Sequence, residues 1–152
     1  IAGLLYIKLE DYPAPAKMGR IQQHGRDAIG IFGGLGGMYF LEELQRGSLG
    51  IMTGFAWPEV LVGVYNAFRA GDVARAAAIF DRFLPLIRFE FQPKIGLAYR
   101  KHVFRKRGIF DTTFIRPPGM QLDDYGRGEL EAVIRRVGLD LDTAGPHPVD
   151  VG

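Results

Sequence analysis

Three short apolar segments alternate with helical segments at the start of the chain, and this alternation limits the folds that the chain can adopt. The apolar segments cover residues 4–11, 28–32 and 49–54, and helical patterns at 15–24 and 38–45 separate them. Strands that are apolar on both faces and alternate with helices are typical of a parallel sheet covered on both sides. We therefore predict three consecutive βα units.

No further strand pattern follows residue 54, and helices are predicted instead. They are expected over residues 58–70, 73–91, 95–106 and 128–137, with an irregular stretch at 111–125. Pro85 predicts a kink or break in the second of them. Three βα units do not close a sheet, because a complete (β/α)₈ barrel needs roughly 250 residues. The expected fold class is therefore α/β: the last three βα units of a (β/α)₈ TIM barrel, followed by a C-terminal helical extension.

This interpretation divides the chain into three parts. Residues 1–57 are expected to form the partial barrel, residues 58–138 the barrel-closing helix and the helical extension, and residues 139–152 a flexible tail. The chain begins directly on a strand and without an initiator Met. We therefore expect that the N-terminal part of a longer protein precedes it.

One residue of the first strand does not fit a buried apolar segment. Lysine is almost never fully buried unless it is paired or used in chemistry, and Lys8 stands in the middle of the run. Because alternate residues of a strand share a face, Tyr6, Lys8 and Glu10 are expected to point to one side. A desolvated amine is a nucleophile suited to a Schiff base with a keto acid. A lysine near a strand end also commonly pairs with a carboxylate such as Glu10, and this stretch leaves both roles open.

A glycine-rich turn and a threonine follow the second and third strands. Residues 33–37 read Gly-Gly-Leu-Gly-Gly and join a strand end to a helix start, where free backbone N–H groups favour anions. The same glycines suit a loop that only needs tight turns. Thr53 ends the third strand, where its hydroxyl could bind a substrate or could cap the local backbone.

Composition narrows the classes of function. The chain has no cysteine, so thiolate chemistry and disulfides are excluded, which fits a cytoplasmic protein. A net charge of +2 does not favour a nucleic-acid partner. No apolar run approaches the ~20 residues of a membrane span, so no membrane partner is expected. The three histidines lack the spacing of metal ligands, and neither a metal nor another cofactor is expected.

The order and spacing of these segments resemble the dihydrodipicolinate synthase and N-acetylneuraminate lyase family of Schiff-base (β/α)₈ enzymes. Residues 6–10 (Tyr-Ile-Lys-Leu-Glu) are similar to the family's lysine strand, and residues 31–34 (Ile-Phe-Gly-Gly) to its seventh strand and glycine turn. Residues 46–53 look like its eighth strand, and the helix pair around residues 70–72 completes the match. The resemblance covers about residues 3–139.

The resemblance implies a site and a reaction. Lys8 would form an imine with pyruvate or another 2-keto acid, and the protonated imine would serve as an electron sink for aldol cleavage, aldol addition or dehydration. Gly33 and Ile51 match positions that line the family's substrate pocket. The candidate substrate-binding residues are Gly33, Gly34, Ile51, Thr53 and Glu10.

Three positions depart from the family's pattern. Tyr6 stands where a small residue is usual, Leu9 replaces a common polar residue, and Gly34-Leu35 replaces polar or acidic residues that reach substrate hydroxyls. A long polyhydroxyl substrate is therefore not expected unless Glu10 supplies the missing acceptor. We expect a 2-keto-3-deoxy sugar-acid dehydratase or aldolase that is a homo-oligomer at full length. The alternatives are dihydrodipicolinate synthase itself, a non-catalytic keto-acid-binding relative, and an inactive fragment.

Overall fold

The part of the chain with the βα units forms a small parallel sheet. The structure, a computed structural model, describes residue 3, residues 5–25 and residues 29–141. Its strands are β1 (Tyr6–Lys8), β2 (Gly30–Gly33) and β3 (Gly50–Ile51), hydrogen-bonded in the order β1-β2-β3. Both strand pairs are parallel, so the predicted βα order is confirmed.

Helices connect the strands. Helix α1 (Ala14–Gly25) lies between β1 and β2, with Pro15 in its first turn as expected. A 3₁₀ turn (Leu35–Gly37) and helix α2 (Phe40–Gln45) lie between β2 and β3. A helical connection between two neighbouring parallel strands is what defines a βα unit, so these connections join successive βα units.

The strand register aligns one residue of each strand in a row across the sheet. Lys8 pairs with Phe32, and Phe32 pairs with Gly50. Paired residues of neighbouring strands share a face, so these three residues point to the same side. The Leu9 N–H extends the ladder by donating to the Phe32 carbonyl at 2.8 Å.

The two faces of the sheet differ in burial. Ile31, on one face, is fully buried. On the other face Tyr6 is 60% exposed, with its ring centroid 6.0 Å from that of Phe32. The sheet was expected to be covered on both faces, but among the described residues the face that carries Tyr6 is left open. In a closed barrel the inner face is covered by the side chains of all the strands, and this chain supplies three of them.

The later helices carry most of the hydrophobic core. They are α3 (Pro58–Arg69), α4 (Val73–Glu90), α5 (Gly96–Lys106) and α6 (Asp124–Arg136). Phe40 of α2, Phe83 of α4 and Leu130 of α6 are almost fully buried in one cluster. This cluster contains residues of helix α2 and of the helical extension, so the βα units pack against the core of the extension.

The helix over residues 124–136 begins earlier than the sequence indicated. Residues 111–125 were predicted to be irregular, with the helix starting at Gly128. The Asp123 side chain instead accepts a hydrogen bond from the Gly126 N–H at 2.7 Å and caps the helix. A Cβ atom at position 126 would lie 2.9 Å from the Cδ1 atom of Leu122, so glycine avoids a close contact there.

A kink or break was predicted at Pro85, and helix α4 continues through it from Val73 to Glu90 without a break. Proline removes one main-chain hydrogen bond from a helix interior. The neighbouring Phe83, Leu86 and Ile87 are fully buried, so packing on both sides of the proline holds the helix together.

The strands are shorter than the apolar segments that predicted them, which extended to residues 4–11 and 49–54. Residues 4 and 28 lie outside the described part of the chain. Of the predicted flexible tail over residues 139–152, the part after residue 141 also lies outside the described residues. The proposed division of the chain at residues 57 and 138 stays a prediction.

Candidate active site

Lys8 is the last residue of β1, at the carboxyl end of the sheet. Its Nζ atom lies 2.9 Å from Oε2 of Glu10, and the two side chains are 38% and 46% exposed. The ion pair that the sequence allowed is therefore present. Imine formation by Lys8 stays a prediction, and the carboxyl end of a parallel sheet is where (β/α)₈ enzymes carry out their chemistry.

Glu10 connects Lys8 to the glycine turn of the next unit. Its second carboxylate oxygen, Oε1, accepts a hydrogen bond from the Leu35 N–H at 3.2 Å. The hydrogen bond from Lys8 is the main cause that lowers the pKa of Glu10, and the Leu35 N–H adds to it against the cost of burial. Glu10 is thus ionised at neutral pH, with both oxygens engaged by groups of the site.

The turn after β2 needs glycine because carboxylates occupy the side-chain positions. A Cβ atom on Gly34 would overlap the Glu10 side chain, and one on Gly33 would overlap the carboxylate of Glu43. The glycines therefore make room for carboxylates of the protein, which supports the tight-turn interpretation, whereas a close-substrate role for Gly33 and Gly34 stays a prediction.

Glu43 is a buried carboxyl group that the sequence analysis did not select. It lies on α2 with no solvent exposure, and neither of its oxygens has a hydrogen-bond partner of normal geometry among the described residues. Burial raises its pKa to about 7, with help from Glu42 and Glu10, although the Gly34 N–H favours the ionised form. Its spacing of three residues from the buried Phe40 could have revealed it, since residues three apart share a helix face.

Ile51 is not brought to the Lys8 side of the sheet. Its Cδ1 atom points to the helical core, 3.7 Å from the position of a Cβ atom on Gly37. The residue of β3 that shares the face of Lys8 is Gly50, where a Cβ atom would lie 3.4 Å from the Phe32 ring. Gly50 is therefore the residue of β3 that lies in the row with Lys8, and contact of Ile51 with substrate stays a prediction.

Thr53 is half-buried after the end of β3, and its Oγ1 atom accepts a hydrogen bond from the Phe55 N–H at 3.1 Å. This is the local backbone cap that the sequence analysis named as one of two roles. A hydroxyl can donate while it accepts, so binding of substrate by Thr53 stays a prediction.

A second buried carboxyl group lies behind β3, on the helical side. Glu90, at the end of α4, accepts a hydrogen bond from the Ala56 N–H at 2.9 Å. Burial raises its pKa to about 8, against the effects of Ala56, Arg100 and Arg107. Glu90 therefore holds the segment that follows β3 and takes no part in the row of Lys8, Phe32 and Gly50.

No group of His, Asp or Glu side chains suited to a metal ion is found among the described residues. Within the same residues, no helix is long and apolar enough to cross a lipid bilayer.

Sequence and structure comparisons relate this arrangement to known proteins. The L-2-keto-3-deoxyarabonate dehydratase of Azospirillum brasilense is 31% identical over 138 residues, which is 90% of this chain and 44% of the dehydratase. The dihydrodipicolinate synthase of Rhodopseudomonas palustris matches with a TM-score of 0.82 and 36% identity, over 86% of this chain and 45% of the synthase. In sequence and in fold, the chain is similar to the C-terminal half of dihydrodipicolinate synthase family proteins.

Other solved members of the dihydrodipicolinate synthase family support the fold. A prophage protein of the family from E. coli K12, solved in complex with pyruvate, matches with a TM-score of 0.74 at 22% identity, over 88% of this chain and 47% of its own. No family model matches the chain. The predicted fold class, the C-terminal part of a (β/α)₈ barrel with a helical extension, is confirmed. The chain spans about half the length of the relatives that it matches.

Proposed function

We propose that the full-length protein containing these residues is a Schiff-base lyase that acts on pyruvate or a related 2-keto acid. Within this class we favour a 2-keto-3-deoxy sugar-acid dehydratase or aldolase that works in the cytoplasm as a homo-oligomer. The 152 residues on their own are proposed to be inactive, because the face that carries Lys8 is open to solvent.

The position of Lys8 carries this proposal. The amine lies at the carboxyl end of β1, in a row with Phe32 and Gly50. Glu10 holds it toward the turn that follows β2. One amine, a carboxylate and a glycine turn at the same end of a parallel sheet form a site that can condense with a carbonyl compound and stabilise the product.

The proposed chemistry uses Lys8 as the nucleophile. Its unprotonated amine would attack the keto carbon, and loss of water would leave a protonated imine. The imine would withdraw electrons from the neighbouring carbon, so that carbon could lose a proton and the next carbon could then lose hydroxide as water. Glu10, at 2.9 Å from Nζ, is placed to receive the ammonium proton before the attack or to accept a substrate hydroxyl.

The choice of a sugar-acid dehydratase is supported by the 31% identity to the Azospirillum dehydratase. The 36% identity to the Rhodopseudomonas synthase favours dihydrodipicolinate synthase as the second candidate. A third candidate, a keto-acid-binding relative without catalysis, is supported by the ion pair of Lys8 with Glu10, which by itself satisfies both groups.

Borohydride trapping tests the proposal. The full-length protein would be incubated with pyruvate and borohydride and digested, and the peptide carrying Lys8 would be analysed by mass spectrometry. We expect a reduced adduct on Lys8 that is lost in Lys8→Met and kept in Lys17→Met, a matched control because Lys17 also pairs with a carboxylate, Asp11. If no keto acid in a panel gives an adduct, the lyase proposal is wrong and the binding relative is favoured.

Substrate turnover separates the two enzymes. A dehydratase or aldolase should consume a 2-keto-3-deoxy sugar acid without a second substrate, whereas a synthase should consume pyruvate only when an aldehyde acceptor is present. Turnover confined to the second assay would contradict the sugar-acid assignment and leave the Schiff-base chemistry intact.

A further inference from the structure

The turn between β2 and α2 is held between two carboxyl groups. Glu10 lies against Gly34 and accepts a hydrogen bond from the Leu35 N–H. Glu43 lies against Gly33 from the helical side, where it is fully buried and its two oxygens have no partner of normal hydrogen-bond geometry in the described part of the chain. The Gly33–Gly34 peptide thus separates the carboxyl group that pairs with Lys8 from one that is isolated from water.

Burial without a partner is costly for a carboxyl group and is unusual unless the group has a role. An apolar residue of similar volume at position 43 would be buried without this cost. Glu43 is therefore a candidate for a function that requires a carboxyl group beneath the turn.

We propose that Glu43 is a positioning residue of the Lys8 site, which acts through the Gly33–Gly34 turn on the Glu10 carboxylate that pairs with Lys8. The inference rests on the proposed function, since its effect is on imine formation by Lys8. Glu43 does not touch Lys8 or the substrate in this arrangement. It sets the position and the charge of the surface against which Glu10 rests.

The charges around Glu43 define what its ionisation does. Glu42, on the same helix, and Glu10, from the segment after β1, both oppose the loss of its proton, and only the Gly34 N–H favours it. When Glu43 is protonated, the turn carries one negative charge on the Lys8 side. When Glu43 ionises, a second negative charge repels Glu10 across the turn and weakens the support that Glu10 gives to the Lys8 amine, so imine formation should become slower.

The experiment compares rates of pyruvate imine trapping by borohydride in the full-length protein at pH 6 to 9. The variants are Glu43→Gln, which keeps the shape and cannot ionise, and Glu129→Gln, which removes an exposed carboxylate on α6 and serves as the control. We expect the ratio of the Glu43→Gln rate to the wild-type rate to be near one at pH 6 and to rise to roughly threefold above pH 7. The Glu129→Gln ratio should stay close to one at both ends of the range.

A Glu43→Gln ratio that does not change with pH, with normal trapping in the wild-type protein, would overturn this inference alone. Absence of any adduct in the wild-type protein would overturn the proposed function as well, so the two failures are distinguishable. Infrared difference spectra of the wild-type protein and of Glu43→Gln give a second test. The loss of carboxylic acid signal over the range in which the ratio rises should be smaller in Glu43→Gln, because Glu90 contributes to the signal of both proteins, and an equal loss in the two would also overturn the inference.

Discussion

The Ala56 N–H donates a hydrogen bond to Oε2 of Glu90 at 2.9 Å and so ties the segment after β3 to the end of α4. The other oxygen of Glu90, Oε1, has no hydrogen-bond partner among the described residues. This buried carboxyl group is therefore half satisfied, and its protonation state should affect the stability of the fold.

Glu90→Gln should become more stable than the wild-type protein as the pH rises. The pKa of Glu90 is about 8 when folded, compared with 4.5 as its ordinary value. The folded state therefore binds more protons than the unfolded state between these values, so stability is fully present below pH 4.5 and is lost as the pH rises through 8. The loss is at most about 5 kcal/mol.

The measurement is the free energy of unfolding of both full-length proteins in urea at pH 6 and pH 9. Glu129→Gln is the control, because Glu129 is exposed. A stability difference between Glu90→Gln and wild type that is the same at both pH values would contradict a buried, protonated Glu90.

Gly33→Ala should destabilise the full-length protein by about 1–3 kcal/mol, because the added methyl group would overlap the buried carboxylate of Glu43 and force the turn to move. Gly128→Ala is the matched control. Gly128 lies within α6 with nothing within 4 Å of an added Cβ atom, so alanine there should stabilise by about 0.5–1 kcal/mol. Thermal unfolding measures both, and a neutral Gly33→Ala would show that Glu43 does not fill that space.

Arg107→Lys should destabilise the fold, although it keeps the charge. Arg107 is buried, pairs with Glu59, donates to the Ala56 carbonyl, and lies 4.4 Å from the centroid of the Trp57 ring. Lysine cannot form the planar, bidentate contact or stack in the same way, so a loss of about 2–4 kcal/mol is expected. Arg105 is exposed and donates a hydrogen bond to the Asp111 carbonyl, so Arg105→Lys should change stability by less than about 0.5 kcal/mol in the same urea titration.

The 152 residues expressed alone should associate or aggregate. Strands β1 and β3 have no outer neighbour among the described residues, and Leu5, Tyr6 and Leu49 are 65%, 60% and 45% exposed. Unpaired strand edges with apolar side chains favour association with other chains. Light scattering after size-exclusion chromatography measures this, and a stable, monodisperse monomer would contradict it.

The sequence predicted the parts of the site that repeat a local pattern. Lys8 stands out because it interrupts an apolar run, and Glu10 follows at the spacing that places both on one face. The same reasoning predicted the order of the strands and helices.

What the sequence did not reveal depends on contacts between distant segments. Glu43 is 33 positions from Glu10, as their numbers show, and only the folded turn places it beneath Gly33. The faces of Gly50 and Ile51 depend on where β3 begins, and a shift of one residue exchanges them. The start of α6 depends on one capping contact of Asp123, which outweighs two glycines.

The central claim is that Lys8 is the amine that forms an imine with a 2-keto acid. Peptide mass spectrometry of the full-length protein after treatment with pyruvate and borohydride tests it most directly. The account predicts a single reduced adduct on Lys8 that depends on pyruvate. An unmodified Lys8, or an adduct spread equally over Lys17 and other exposed lysines, would contradict it.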